Sequence, residues 1–169
     1  KCAGHPEFGH ISGIETTTGP LGQGLGNAVG MALMERLLAN EFGNKMCNHF
    51  TYVIASDGDL MEGISHEAAS FAGHQKLNKL IVFFDDNGIS IDGPVKLSNS
   101  EKTIDRFKSY NWNTIKINGH KVDEIEKAIK KAQKSSKPTI ISCKTKIGYG
   151  SPNKQGKSSS HGSPLGIDE

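Results

Sequence analysis

An apolar run, an alanine-rich stretch and a second apolar run follow one another in residues 51–93, and that order restricts the chain to a βαβ crossover. The first run, TYVIAS, is short and rich in strand formers, and it stops at Asp57-Gly58. Residues 64–77 are rich in alanine and carry Ile64, Ala68, Phe71 and Ala72, which fits one face of a helix. The second run, LIVFF at 80–84, is continuously apolar, as expected of a strand buried on both faces. Crossovers of this kind join neighbouring parallel strands. Such strands lie about 4.8 Å apart, so Asp57 and Asn87, each just past a strand's carboxyl end, become neighbours. Open α/β sheets bind ligands at that edge.

The pair suggests a hard cation. A carboxylate, an amide oxygen and a nearby backbone carbonyl such as that of Ile89 suit Mg²⁺ or Ca²⁺, and Mg²⁺ completes its shell with water and phosphate oxygens. Gly58 and Gly63, just before the helix, let backbone N–H groups approach an anion at its positive end. The plainer alternative makes Asp57 a helix cap and Asn87 a turn residue. Asp57, Asp59 and Glu62 do not form an EF-hand, because Glu62 stands where that loop requires glycine.

The rest of the chain reads as support. Residues 1–18 are irregular, broken by Gly4, Pro6, Gly9 and Gly13. His5 and His10 are spaced too loosely for a metal site and read as structural residues. Gly22, Gly24 and Gly26 read as a loop that can approach a ligand, followed by a helical stripe of Leu25, Ala28, Val29, Ala32 and Leu33 to about Leu38. Gly24 and Gly26 with Gly30 superficially resemble a dinucleotide fingerprint, so a nicotinamide-binding reductase using residues 22–30 is an alternative from another class. That fingerprint should follow a strand closely, and residues 14–19 are a weak strand candidate. His66-Glu67 begins like a zinc-protease motif, but Ser70 occupies the place of its second histidine. A short helix near 103–110, a strand at 114–117, an amphipathic helix over 122–132 and a strand at 139–143 follow. Residues 148–166 have the composition of a flexible linker. With 20 Lys+Arg against 18 Asp+Glu the charge gives no case for nucleic acid. No run approaches the roughly 20 apolar residues of a membrane span. Three cysteines without C-x-x-C argue against a disulfide framework, and a cytoplasmic compartment fits.

An Asp-Gly, an intervening helix and an Asp-Asn about thirty residues on resemble the thiamine diphosphate fingerprint. The detail resembles transketolase: GHPEFGH, GIETTTGPLGQGLGNAVGMA, SDGDLMEG, DDNGISIDG and KTKIGYGSPNKQGKSSSHGSPLG occur in that family's order. The resemblance implies a three-layer α/β sandwich, a mainly parallel sheet with helices on both faces, incomplete in these 169 residues. It implies thiamine diphosphate held through Mg²⁺ (Ca²⁺ or Mn²⁺ as substitutes) by Asp57, Asn87 and the Ile89 carbonyl, with Gly58 at the diphosphate. It places Gly19 and Leu21 against the aminopyrimidine. His5 matches a substrate-facing histidine, His161 a phosphate-contacting one, and Glu62 a glutamate at the dimer interface linked to the partner's catalytic carboxylate. The implied reaction moves a two-carbon ketol unit between sugar phosphates. Dihydroxyacetone synthase is a close alternative within the same cofactor class. The pyrimidine-binding and C-terminal domains are expected outside these residues, so the chain should act in a homodimer or paired with a chain that carries them, and be inactive alone. One departure from the family pattern is Ser56, which stands in place of the usual glycine before Asp57.

Overall fold

A computed structural model describes residues 6–169. Its centre is a four-stranded sheet in the order β1 (Thr51–Ser56), β2 (Leu80–Asp86), β6 (Thr139–Lys144), β5 (Asn113–Asn118), every pair parallel. Ser56 stands opposite Asp85, Asp85 opposite Cys143, and Lys144 opposite both Asp86 and Asn118, so the four carboxyl ends form one edge. The expected β1–β2 crossover is present. A two-stranded antiparallel ribbon, β3 (Ile89–Ser90) with β4 (Gly93–Pro94), follows β2 at that edge.

Helices cover both faces. On one, α1 (Gln23–Phe42), α3 (Gly63–His74) and α4 (Thr103–Ser109) enclose Leu80, Val82, Phe84 and Ile140. On the other, α5 (Val122–Ala132) lays Ala128 and Ala132 over Ile81 and Ile141. Burying one such aliphatic side chain is worth about 1.5–3 kcal/mol, and these alternating residues of the inner strands join the two cores. The fold is thus the α/β sandwich with a mainly parallel sheet that the motifs implied. Among the described residues no helix is long and apolar enough to cross a membrane.

Four local features differ from the sequence reading. The stripe on α3 is split: Ala72 is buried with Ser65, Ala69 and Gly73, and Ala68 packs against the core, while Ile64 and Phe71 are 42% and 43% exposed. Small residues face inward because the backbone of the next segment comes very close; a Cβ on Gly73 would lie 1.7 Å from the Tyr110 carbonyl oxygen. Gly24 and Gly26 belong to α1 itself, leaving Gly22, at φ 78°, as the loop glycine. Among the described residues no strand precedes α1, so the dinucleotide fingerprint lacks its structural context. Finally, a short helix, α2 (Asp57–Met61), separates β1 from α3.

Candidate functional site

Where β1 ends, the chain must satisfy the free N–H groups that open α2. Ser56 does so. Its backbone is extended, φ −95° and ψ 175°, so serine costs nothing where the family pattern has glycine. Its hydroxyl accepts from the Asp59 amide at 3.2 Å, and the Asp59 carboxylate accepts in return from the Ser56 amide at 2.8 Å, a reciprocal capping box. The reading of Asp57 as the helix cap is therefore wrong: its neighbour takes that role and leaves the Asp57 carboxylate free of capping.

That carboxylate is the outlier of the sheet edge. Oδ2 of Asp57 is buried with no hydrogen-bond partner, a condition that is costly for a charged oxygen. Burial is the main cause that pushes the Asp57 pKa up from 3.8 to about 6, reinforced by Asp86 and Asp85. The backbone N–H of Gly88 and the Lys144 ammonium pull the other way. The Gly88 interaction also shows that Asp57 reaches the turn after β2, as the crossover required. In that turn the Asn87 side chain is fixed at both ends: Oδ1 accepts from the Ile89 amide at 2.8 Å, and Nδ2 donates to Asp85 Oδ2 at 3.0 Å. Asn87 is thus a turn residue, and its amide oxygen is oriented. A cavity of about 360 Å³ opens beside Asp57, lined also by Asp86, Gly88, Asn99, Lys102 and Lys116.

The other candidates are distributed as follows. Gly58 is tightly overlaid by Leu21, whose Cδ1 would meet a Cβ there at 3.2 Å, so the 19–22 loop touches the start of α2. Gly19 is exposed. Glu62 is exposed between α2 and α3. His161 is exposed on the loop after β6, its amide bonded to the Ser158 carbonyl at 2.8 Å; among the described residues no hydrogen bond joins it to the β1–β2 edge. His5 lies outside the described residues. Internal bonds tie the 148–166 loop together, including Gly156 N–H to the Ile147 carbonyl at 2.7 Å and Ser160 Oγ to the Lys154 carbonyl at 2.7 Å. Among the described residues no group of three or more His, Cys, Asp or Glu could hold a metal ion. A cation here therefore depends on amide and carbonyl oxygens beside a carboxylate.

Sequence reasoning missed Arg106. From α4 it donates to the Leu60 carbonyl at the end of α2 (2.7 Å), pairs with Glu101 (3.0 Å) and contacts His66 on α3. An arginine followed by a core phenylalanine gives no signal without the fold. The same is true of Glu35, buried on α1 and paired with Lys79.

The family model for the transketolase thiamine diphosphate-binding domain matches residues 1–169. This chain belongs to that family. It is 57% identical over 173 aligned positions to a transketolase of Staphylococcus epidermidis, matching 100% of this chain and 26% of that protein. A Sinorhizobium medicae transketolase is 52% identical over 169 residues, again 100% of this chain and 24% of the relative. Among solved structures, a Campylobacter jejuni transketolase superposes with a TM-score of 0.91 at 45% identity, covering 96% of this chain and 26% of that one. A Pichia stipitis transketolase solved with sedoheptulose-7-phosphate gives 0.88 at 44% identity, covering 97% and 25%. The chain thus spans about a quarter of the length of the relatives it matches. Membership in the transketolase family disfavours the nicotinamide alternative.

Proposed function

We propose that this chain supplies the Mg²⁺ and diphosphate anchor of a transketolase, a transferase that moves a two-carbon ketol unit from a ketose phosphate to an aldose phosphate. The observation that carries the reading is the unpartnered, buried Oδ2 of Asp57 at the carboxyl edge of the sheet. A divalent cation supplies the partner that this oxygen lacks, and the donor set fits Mg²⁺: one carboxylate, the Asn87 amide oxygen and the Ile89 carbonyl, with the rest of the shell from water and phosphate. Asp57, Asn87 and Ile89 hold the metal, Gly58 offers its backbone N–H to the diphosphate, and Gly19 and Leu21 line the pyrimidine side.

When bound, thiamine diphosphate supplies a carbanion equivalent and an electron sink. The protein's part is to position and to enclose. His161 donates to a phosphate oxygen and His5 orients the sugar, roles suited to imidazole N–H groups. Glu62, exposed at the junction of α2 and α3, lies at the interface with the partner whose carboxylate activates the pyrimidine. That carboxylate and the arginines that grip sugar phosphate are assigned to surfaces other than these residues, in a homodimer or in a pairing with a second chain. Sugar phosphates are the proposed substrates, supported by the Pichia stipitis transketolase solved with sedoheptulose-7-phosphate. The direct test uses crystals of the full-length protein grown with Mn²⁺ and thiamine diphosphate. An anomalous peak is expected among Asp57, Asn87 and the Ile89 carbonyl; a peak elsewhere on the sheet edge removes the assignment.

A further inference from the structure

α2 carries two aspartates in three residues, and the fold treats them oppositely. Asp57 keeps a buried oxygen without a partner, whereas both oxygens of Asp59 are engaged. Oδ2 accepts from the Ser56 amide at 2.8 Å and from the Ser56 hydroxyl at 2.7 Å. Oδ1 accepts from the Gly22 amide at 2.9 Å, across 37 residues of sequence. Charge-assisted bonds of this kind are about twice as strong as neutral ones. One carboxylate therefore joins the end of β1 to the loop that opens α1.

The loop is held there by shape as well. Gly22 is left-handed and pressed against the α2–α3 junction: a Cβ on it would lie 2.9 Å from Glu62 Cβ, 2.9 Å from Ile64 Cγ2 and 3.0 Å from Ser65 Oγ. Next to it, Leu21 overlies Gly58, the residue between the two aspartates. Movement of the loop away from Asp59 thus uncovers Gly58 and the α2–α3 junction.

We propose that Asp59 is a positioning residue that locks the 19–22 loop to the metal anchor, setting the spacing between the two walls against which the cofactor's pyrimidine and diphosphate are held. The proposal rests on the reading of this edge as the cofactor anchor. Two ligands separate the walls: thiamine diphosphate needs both, and inorganic diphosphate needs only the anchor. In the full-length protein with saturating Mg²⁺, Asp59→Ala weakens thiamine diphosphate binding by about tenfold or more, the loss expected for hydrogen bonds to a charged group. The same variant weakens inorganic diphosphate by less than about threefold, because the Asp57 ligand set stays intact. Ser56→Gly, which removes one hydroxyl and keeps the amide donor, changes both affinities by less than about threefold.

Amide hydrogen exchange gives a readout that needs no cofactor. Asp59→Ala is expected to speed exchange by about tenfold in the peptide that contains Gly22, whose amide loses its acceptor. Equal weakening of both ligands, or unchanged affinity for both, overturns the coupling. Should the alanine variant fail to fold, the isosteric Asp59→Asn, which keeps one acceptor and turns an NH₂ toward the other donor, carries the same comparison. If the unaltered protein binds neither ligand, the anchor reading fails by itself. Exchange at Gly22 then still decides the lock: acceleration supports it and no change contradicts it.

Discussion

Asp57 makes the metal-free protein sensitive to pH in a direction opposite to that of a salt-bridged carboxylate. Its folded pKa, about 6, lies above its ordinary 3.8, so between these values the folded chain holds a proton that the unfolded chain has lost. Stability without metal therefore falls as pH rises from about 4 to about 6, then stays level. Mg²⁺ competes with that proton, so its stabilising effect should be small at pH 5 and full by about pH 7.5. Asp57→Asn removes the ionisation. At neutral pH it should raise the metal-free Tm by about 2–4 °C, the change ~1 kcal/mol gives in a chain of this size after discounting for solvent, and abolish the response to Mg²⁺. Thermal unfolding with and without Mg²⁺ checks both signs; a lower metal-free Tm in the variant contradicts the burial argument. Gly73 is a second single-residue test. Gly73→Ala drives a methyl against the Tyr110 carbonyl and toward the Trp112 ring. It should cost at least about 3 kcal/mol in urea denaturation, and a cost under about 1 kcal/mol would show that the approach of α3 to the α4–β5 turn is loose.

At the scale of elements, strand and helix positions were legible where one period dominates. TYVIAS, LIVFF and the acid-first, lysine-last pattern of 122–132 each became β1, β2 and α5, because alternation, continuous burial and dipole complementarity act within the segment itself. The inward face of α3 was not legible. Its apolar Ile64 and Phe71 point away from the sheet, since only alanine, serine and glycine fit beneath the neighbouring backbone, and that crowding comes from residues forty positions away. α2 is held by a local capping box, Ser56 with Asp59, and by a bond from Arg106 on α4 that the local sequence does not signal. In the candidate site, the approach of Asp57 to the turn after β2 followed from strand geometry, while the tie of Asp59 to Gly22 and the role of Arg106 required the fold. Arg106 is the tie among α2, α3 and the 95–102 segment, so Arg106→Leu should cost about 2 kcal/mol through the acceptors it leaves unpaired. Chemical denaturation measures this, and a change below about 0.5 kcal/mol would mean that α2 is anchored by its cap alone.

The whole molecule presents more apolar surface than its own core explains. Leu21, Met31, Met34, Ile64 and Phe71 are exposed on the loop, α1 and α3, beside Glu62, while Tyr52 and Ile54 are exposed on the far face of β1. Apolar surface, where it is contiguous, marks contacts with other protein, and the chain spans about a quarter of the length of its relatives. On the proposed reading, the sheet edge would supply the metal and diphosphate grip, and other surfaces of the assembly would supply the rest. The measurement that tests this division most directly is the affinity of the full-length protein for thiamine diphosphate, with and without Mg²⁺, in the unaltered form and in Asp57→Ala. The unaltered protein should bind at least about tenfold more tightly with Mg²⁺, and Asp57→Ala should lose that dependence by losing an anionic oxygen ligand. An Asp57→Ala protein that binds as tightly, with the same gain from Mg²⁺, would contradict the account.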